Sequence, residues 1–415
     1  MYEPRHLLMI TTNNNNKYYD QIKINDNEWE ARYGRVGASP QIRRYPLSQW
    51  DKKYREKIAK GYKDMSDMVE EAIEKELPSG PKEYEEIKNK VIAKIVERLQ
   101  DLSKKTVSEN YKVNASVVTQ KMVDSAQKLL DSLVGFKGSV DEFNEKLLEL
   151  FTIIPRKMGN VNEYLVKDKN DFDKKISRES DILDTMRSQV YVKEITEDID
   201  HQNNNEPLNK GTILDALGLK FEEVSNDEVN MIKKLMKSNS DKFIRAYKVT
   251  HLKSQNNFKK YCKDKKIKHT ELLWHGSRAC NWFSIISQSL KIRPSGVVTN
   301  GSLFGSEGIY FANNVMKSRN YCGMHGSYWV SGNSNTGFVA LFETAYGDKP
   351  YDVYSFSSEY YNMNEKRLNE RLQDATCLHA HAGCKLDGSW SELKNDEIIF
   401  YNENAMTIRY LVEIN

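Results

Sequence analysis

The stretch that decides the fold reads Leu272-Leu273-Trp274-His275-Gly276-Ser277-Arg278. Its apolar first half has the length of a buried strand. It ends in a histidine, a glycine and a serine, and the glycine lets a ligand come close to the backbone because it has no Cβ. The stretch therefore predicts a strand that presents a binding site where it ends.

A second apolar run follows about thirty residues later and reads Phe304-Gly305-Ser306-Glu307-Gly308-Ile309-Tyr310-Phe311-Ala312. Tyr321 stands eleven residues after Tyr310, beyond a segment that can form about three helical turns. Two tyrosine rings could sandwich a flat aromatic amide on a ribose, while a histidine and a serine orient it.

Together these runs resemble the catalytic domain of the poly(ADP-ribose) polymerases, which move ADP-ribose from NAD+ to an acceptor and release nicotinamide. That family also requires a glutamate on a late strand, and Glu397 matches it in Asn395-Asp396-Glu397-Ile398-Ile399-Phe400-Tyr401. The strand-like segment 406–411 also fits. Three separated motifs in the family's order make the resemblance specific.

The resemblance assigns roles to these residues. Glu397 would hold a ribose hydroxyl and stabilise the oxocarbenium-like state that forms when the N-glycosidic bond breaks. His275 would bind a hydroxyl of the adenosine ribose, and Lys317 matches a lysine beside the glutamate. The predicted catalytic residues are Glu397, His275, Tyr310 and Lys317. The residues expected around the nicotinamide are Gly276, Ser318, Tyr310 and Tyr321.

Three further residues, Ser277, Ser284 and Lys291, fall where the family contacts the rest of NAD+. Lys291 stands in for an arginine, so it keeps the charge and loses the planar fork. The loop 304–308 is one residue longer than the family's, and the segment between Tyr346 and Asp396, which in the family shapes the acceptor site, matches poorly.

That poorly matching segment contains Cys377-Leu378-His379-Ala380-His381-Ala382-Gly383-Cys384. If it forms a strand, Cys377, His379 and His381 share a face and could bind zinc together with Cys384. The spacing corresponds to no common zinc module, so we expect NAD+ as a substrate and no metal.

The bulk composition limits the class of protein. A chain of 415 residues predicts two or three domains, and 29% charged residues indicate a soluble globular protein. No apolar run approaches the roughly 18 residues of a membrane span, and the N-terminus lacks the pattern of a signal peptide. The five cysteines all follow residue 261 without a pairing pattern, which favours an intracellular, reducing location. That location is the nucleus if the source is eukaryotic and the cytoplasm if it is bacterial or phage.

The net charge of +3 is unevenly distributed. Between Trp29 and Lys63 ten basic residues stand against three acidic ones, which predicts a phosphate-binding surface. A solvated, lysine-rich helix would explain the same charge.

The run Trp29-Glu30-Ala31-Arg32-Tyr33-Gly34-Arg35-Val36-Gly37 resembles the WGR domain of DNA-dependent members of the family. Tyr33 replaces the tryptophan that packs on the sugar at a DNA end, and Arg35 matches an arginine that relays contact to the helical domain. The two glycines could equally make a plain hairpin. The predicted DNA-binding residues are Tyr33, Arg35, Arg32, Arg43 and Arg44.

The predicted architecture is multidomain α+β. Residues 1–76 form a small antiparallel WGR-like sheet, residues 82–200 an α-helical regulatory domain, and residues 208–415 an α+β ADP-ribosyltransferase domain. A plain interdomain spacer is the alternative for the helical part.

The predicted function is poly-ADP-ribosyl transfer from NAD+ to proteins, stimulated by DNA strand breaks. The expected partners are DNA ends or nicks and protein acceptors, the chain itself included, with no membrane and a monomeric state. Two alternatives stay open: a transferase that adds single units, and a DNA-end-binding scaffold whose transferase half is inactive.

Overall fold

The computed structural model describes residues 2–36, 38–66, 84–112, 118–201, 211–292, 303–305, 307–327, 332–386 and 392–415. Contacts divide the chain into two compact units. One comprises Met1–Lys82 and Lys104–Glu194, and the other Glu83–Ser103 and Ile195–Asn415. The gaps between the predicted domains fall at 77–81 and 201–207, where the structure describes only residue 201, so these boundaries stay predictions.

The first unit begins with a five-stranded antiparallel sheet in the order β4-β3-β2-β1-β5. Its strands are β1 (Arg5–Thr11), β2 (Asn15–Lys23), β3 (Glu28–Arg35), β4 (Gln41–Pro46) and β5 (Lys63–Asp64), and helix α1 (Trp50–Ala59) lies between β4 and β5 in the chain. Alternating residues of β3 bury Trp29 and Ala31 on one face. The Trp29 ring meets Trp50 of α1 edge to face at 5.4 Å, so the helix covers this face of the sheet.

Four longer helices follow in the chain: α2 (Lys90–Asn110), α3 (Gln120–Leu133), α4 (Val140–Ile153) and α5 (Phe172–His201). Most of α2 belongs to the second unit, whereas α3, α4 and most of α5 belong to the first. Helix α4 begins with a capping box in which Ser139 and Glu142 each bond the other's backbone N–H. Helices α3, α4 and α5 share one apolar core, in which the rings of Phe143 and Phe172 stack at 3.9 Å. The described residues of the segment 82–200 are therefore largely helical, as the sequence predicts.

This apolar core also encloses a group of charges. Arg156 and Glu179 are only 2% and 3% exposed. Lys175 Nζ lies 2.9 Å from one oxygen of Glu179, and Arg156 Nη2 lies 3.6 Å from the other. The Arg156 guanidinium also stacks over Tyr111 at 4.8 Å. The carboxylate thus tolerates burial because two cations compensate it.

The second unit holds two sheets. The first is antiparallel, in the order β6 (Leu219–Glu223), β7 (Phe243–His251), β14 (Met406–Ile414), β10 (Gly337–Thr344), β8 (Glu271–Gly276). The second runs β11 (Tyr351–Ser355), β12 (Leu378–Lys385), β13 (Glu397–Phe400), β9 (Ile309–Phe311), with only the β11–β12 pair parallel. Its helices are α6 (Ile213–Ala216), α7 (Asn226–Met236), α8 (Leu252–Asp264), α9 (Trp282–Gln288), α10 (Val315–Arg319) and α11 (Glu365–Arg371).

The two sheets are joined where β8 meets the end of β9. Trp274 and Ala312 exchange two backbone hydrogen bonds, of 2.8 and 2.9 Å. This link brings together the sequence runs 272–278 and 304–312. A mixed α and β fold is therefore confirmed, and no helix among the described residues is both long and apolar enough to cross a bilayer.

The buried carboxylate of the helical core gives a stability prediction. We expect Glu179→Gln to lower the free energy of unfolding by about 3 kcal/mol, because it leaves two buried cations uncompensated. The measurement is urea denaturation followed by circular dichroism. The control is Glu109→Gln, which removes one partner of the exposed pair with Lys105 and should change little.

The buried Glu179 carboxylate also predicts how stability depends on pH. Burial raises the pKa of Glu179, but the charges of Arg156 and Lys175 outweigh it and hold the pKa below its ordinary value. A carboxyl whose pKa is lower in the folded state stabilises above its unfolded pKa, so this contribution is lost as the pH falls below about 4.5. Equal acid sensitivity in wild type and Glu179→Gln would contradict this account.

Candidate active site

His275 stands near the end of β8 with its ring orientation fixed. Its Nδ1 lies 2.9 Å from the carbonyl oxygen of Tyr310, which can only accept, so Nδ1 carries the proton. Burial lowers the pKa of His275, which keeps the ring neutral. The rings of Phe311 and Phe342 pack around it at 5.5 and 5.9 Å. Nε2 is therefore a hydrogen-bond acceptor, suited to a ligand hydroxyl.

Gly276 is required by the close approach of strand β8 to helix α10. An ideal Cβ at this position would lie 1.8 Å from the carbonyl oxygen of Ser318, which no side chain can tolerate. Ser318 is buried, and its carbonyl accepts the backbone N–H of Tyr321 at 3.1 Å. The strand end, the serine and the second tyrosine thus form one small region.

A buried ion pair lies in the same unit, between helix α10 and strand β13. Lys317 Nζ is 2.6 Å from Oε1 of Glu397 and also donates to the carbonyl oxygen of Asp396 at 3.2 Å. Burial lowers the pKa of Lys317, and the charge of Glu397 opposes that shift. Glu397 Oε2 is buried and has no hydrogen-bond partner among the described residues. One carboxylate oxygen is therefore fixed, and the other can accept from a ligand.

The two tyrosines lie near this carboxylate. Burial raises the pKa of Tyr310 and of Tyr321, and the negative charge of Glu397 adds to both shifts. The Tyr310 hydroxyl donates to the carbonyl of Gly305 at 2.8 Å and accepts the N–H of Phe304 at 3.0 Å. Tyr310 therefore anchors the loop that precedes strand β9, of which 293–302 and Ser306 lie outside the described residues.

The remaining candidates, Ser277, Ser284 and Lys291, lie on or beside helix α9. Ser277 accepts a hydrogen bond from Asn281 at 3.3 Å, and Ser284 is half-buried on α9. Lys291 Nζ lies 2.8 Å from Glu403, which also accepts the N–H of the residue after Lys291 at 2.8 Å. In this structure the lysine charge is thus paired with a carboxylate.

Two residues of this region were not predicted from the sequence. Tyr401 donates to the carbonyl of Phe304 at 2.5 Å, so it supports the loop together with Tyr310. Its position directly after strand β13, which carries Glu397, could have identified Tyr401 as a residue near the site. Glu403, the partner of Lys291, gave none, because the two are 112 residues apart.

In the first unit, the arginines predicted to bind DNA divide between two faces of the sheet. Arg32 Nε lies 2.7 Å from Glu30, and Arg44 Nε lies 3.8 Å from the same carboxylate. Arg43 is one residue away from Arg44, so it points to the opposite face, which it shares with Tyr33. The single basic surface expected from the charge count is therefore divided, since side chains alternate along a strand.

Arg35 and Tyr33 also have defined surroundings. Arg35 Nη2 donates to the carbonyl of Gly159 at 2.7 Å and to Oδ1 of Asn14 at 3.1 Å. The same Asn14 oxygen accepts the N–H of Val161 at 3.1 Å. Arg35 thus holds the loop between α4 and α5. Tyr33 is half-buried, with its ring centre 5.9 Å from that of Tyr19.

Comparisons with known proteins find similarity to poly(ADP-ribose) polymerases. The family model described as the poly(ADP-ribose) polymerase catalytic domain matches residues 226–415. The poly(ADP-ribose) polymerase-like protein 100L of Invertebrate iridescent virus 6 is 32% identical over 196 residues, which are 47% of this chain and 97% of that protein. The uncharacterized protein 101L of the same virus is 35% identical over 186 residues, 44% of this chain and 76% of that protein.

A longer similarity extends beyond the catalytic match. The poly(ADP-ribose) polymerase of Sarcophaga peregrina is 25% identical over 320 residues, which cover 72% of this chain. The match therefore reaches into residues before 226. The chain spans only 31% of the length of that polymerase.

The close approach at Gly276 gives a prediction for this site. We expect Gly276→Ala to lower the free energy of unfolding by about 2 kcal/mol, because the new methyl group must displace the Ser318 backbone. Thermal unfolding measures the loss. The control is Gly159→Ala, where an ideal Cβ meets open space. If the Gly276→Ala protein were as stable as wild type, the two segments would have to lie further apart.

Proposed function

The chain belongs to the poly(ADP-ribose) polymerase family and carries the family's NAD+-dependent ADP-ribosyltransferase domain, and we propose that it transfers ADP-ribose from NAD+ to proteins with Glu397 at the reacting centre. The observation that supports this assignment is the buried Glu397 carboxylate. It is ion-paired through one oxygen, while the other has no hydrogen-bond partner among the described residues.

Transfer breaks the bond between the nicotinamide nitrogen and C1′ of the ribose. The bonding electrons leave with nicotinamide, so positive charge develops on the ribose ring. A carboxylate whose second oxygen accepts a ribose hydroxyl stabilises this charge. The acceptor nucleophile then bonds to C1′ and releases its proton. Lys317 donates to Oε1 of the Glu397 carboxylate and so fixes its orientation.

Nicotinamide is proposed to lie between the rings of Tyr310 and Tyr321, with its carboxamide on the Gly276 backbone and the Ser318 hydroxyl. The support is that Gly276, Ser318 and Tyr321 are joined by close approach and one backbone bond. Nε2 of the neutral His275 would accept a hydroxyl of the adenosine ribose. Ser277, Ser284 and Lys291 would contact the rest of NAD+, and Lys291 would then have to leave Glu403.

DNA ends or nicks are the proposed activator, with the chain acting in the response to DNA damage. Tyr33 would pack on a terminal sugar, and the arginines would bind phosphates. The contact of Arg35 with Gly159 supports a route from the sheet to the helices, which are proposed to be regulatory. The acceptors would include the chain itself. The protein would act as a monomer inside the cell, in the nucleus if the source is eukaryotic and in the cytoplasm if it is bacterial or phage.

One experiment tests these proposals together. Purified protein is incubated with NAD+ labelled in its adenine, with and without nicked DNA, and the products are resolved by chain length. Poly-ADP-ribosylation gives a ladder that strengthens with DNA. Single-unit transfer gives one band, and an inactive scaffold gives no label although it binds DNA.

The carboxylate gives the sharpest test of the mechanism. We expect Glu397→Gln to bind NAD+ with near-normal affinity and to lose transfer by at least about a hundredfold, because the amide keeps the shape and removes the charge. Initial rates of nicotinamide release measure the loss. Glu222→Gln, on the exposed part of β6, serves as the control and should keep full activity. Near-normal rates in the Glu397→Gln protein would overturn the assignment of Glu397.

A second prediction concerns control by DNA. We expect Arg35→Ala to reduce the stimulation by nicked DNA on the order of tenfold, because it removes the charge-assisted bond to Gly159. The rate without DNA should stay the same. Arg55→Ala, on the exposed side of α1, is the matched control. If both variants lose stimulation equally, the loss follows from removing a positive charge and not from breaking the contact between Arg35 and Gly159.

A further inference from the structure

A second cluster of chemically active side chains lies on the sheet that carries Glu397. Strands β11 and β12 are parallel neighbours, and Asp352 stands directly opposite His379. His381 follows two residues later, so both histidines project from the same face. Their rings stack with centroids 4.0 Å apart, and Tyr354 stacks on the outer side of His381 at 4.4 Å.

The potential ligand atoms of these residues converge. One atom each from Asp352, His379 and His381 lie within 4.8 Å of one another. Asp352 Oδ1 is 2.7 Å from His381 Nε2 and 4.0 Å from His379 Nδ1. Bonds of about 2.0 Å in a tetrahedral zinc site put neighbouring ligand atoms about 3.3 Å apart. The two distances fall on either side of that value, so small side-chain rotations suffice to give the three ligand atoms the spacing of a zinc site.

The residues around His379 favour the tautomer that can bind a metal ion through Nδ1. Its Nε2 lies 3.3 Å from Oδ2 of Asp396 and makes no hydrogen bond among the described residues, but the negative carboxylate on that side favours a proton on Nε2. Asp396 is itself held by the N–H of Ala382 at 2.8 Å and by Asn313 at 2.5 Å. The lone pair then resides on Nδ1, on the side of Asp352. A carboxylate behind a histidine is a recurring arrangement in metal sites. The Tyr346 hydroxyl, 2.7 Å from Nδ1, occupies that lone pair when no ion is bound.

We propose that Asp352, His379 and His381 bind one divalent transition-metal ion, with zinc the best match to two imidazoles and a carboxylate. This site differs from the one suggested by the sequence. Cys384 packs in an apolar core, and Cys377 Sγ lies 4.0 Å from the Tyr346 carbonyl. The cysteines are replaced by an aspartate on the neighbouring strand.

The ion is ancillary to ADP-ribosyl transfer. Ala380 pairs with Glu397, and side chains alternate, so the histidines lie on the sheet face opposite to the Glu397 carboxylate. An ion here ties β11 to β12, the neighbour of the strand that carries Glu397. Binding is therefore expected to stabilise this sheet against heat, because only the folded chain brings the three ligands together.

The test is equilibrium dialysis of the full chain against zinc, with bound metal measured by elemental analysis. Wild type should retain one zinc ion per chain. His381→Gln and Asp352→Asn are both at partly exposed positions. Each should lower the affinity for zinc at least tenfold. The matched control is His269→Gln. It removes a surface histidine that also faces a carboxylate, Glu271, at 3.0 Å, but no third ligand joins this pair among the described residues.

Two further readouts keep the proposal falsifiable if a variant folds poorly. Zinc should raise the melting temperature of wild type and of His269→Gln but not of the two site variants. Cobalt should produce visible absorption bands only in proteins with the intact site. No bound zinc in wild type, or equal zinc in His381→Gln and His269→Gln, would overturn the proposal.

Discussion

The buried ion pair between Lys317 and Glu397 is the interaction on which the site depends. Removing a carboxylate from water costs several kcal/mol unless a cation compensates it. Lys317 compensates the charge through Oε1 alone, at 2.6 Å, and leaves Oε2 with no partner among the described residues. A carboxylate oxygen that is buried near two tyrosines is poorly solvated, so it gains most from a ligand that brings hydroxyl groups and positive charge.

The surrounding fold serves to bring the pair and the rings together. Lys317 comes from the short helix α10, and Glu397 from strand β13, 80 residues later. The backbone bonds between Trp274 and Ala312 join the two sheets beside them. Gly276 then lets β8 approach α10 at a distance that no side chain would allow. The geometry of the site therefore rests on backbone contacts, which are less variable than the side chains of surface loops.

Much of the fold was predictable because it depends on local patterns. The strand ending at Gly276, the short strand carrying Tyr310 and the capped helix after Ser139 all follow from periodicity and capping residues. The late glutamate was predictable only through the resemblance to a family, since an acidic residue before an apolar strand is ordinarily exposed.

What the sequence could not reveal depends on contacts between distant segments. The pairing of Lys291 with Glu403 and the approach of Asp352 to His379 join residues that no local pattern connects. The division of the arginines between two sheet faces follows from the register of β3 and β4, which fixes each side chain's face. Charge counting along the chain cannot resolve that alternation.

A crystal structure of the chain with benzamide, a small nicotinamide analogue, would test the proposed nicotinamide site directly. We expect the ring between Tyr310 and Tyr321, and the amide on the Gly276 backbone and the Ser318 hydroxyl. We also expect Glu397 Oε2 to remain open toward the side where the ribose would lie. A benzamide bound elsewhere, or a Glu397 turned away from Lys317 and the bound ring, would contradict this proposal.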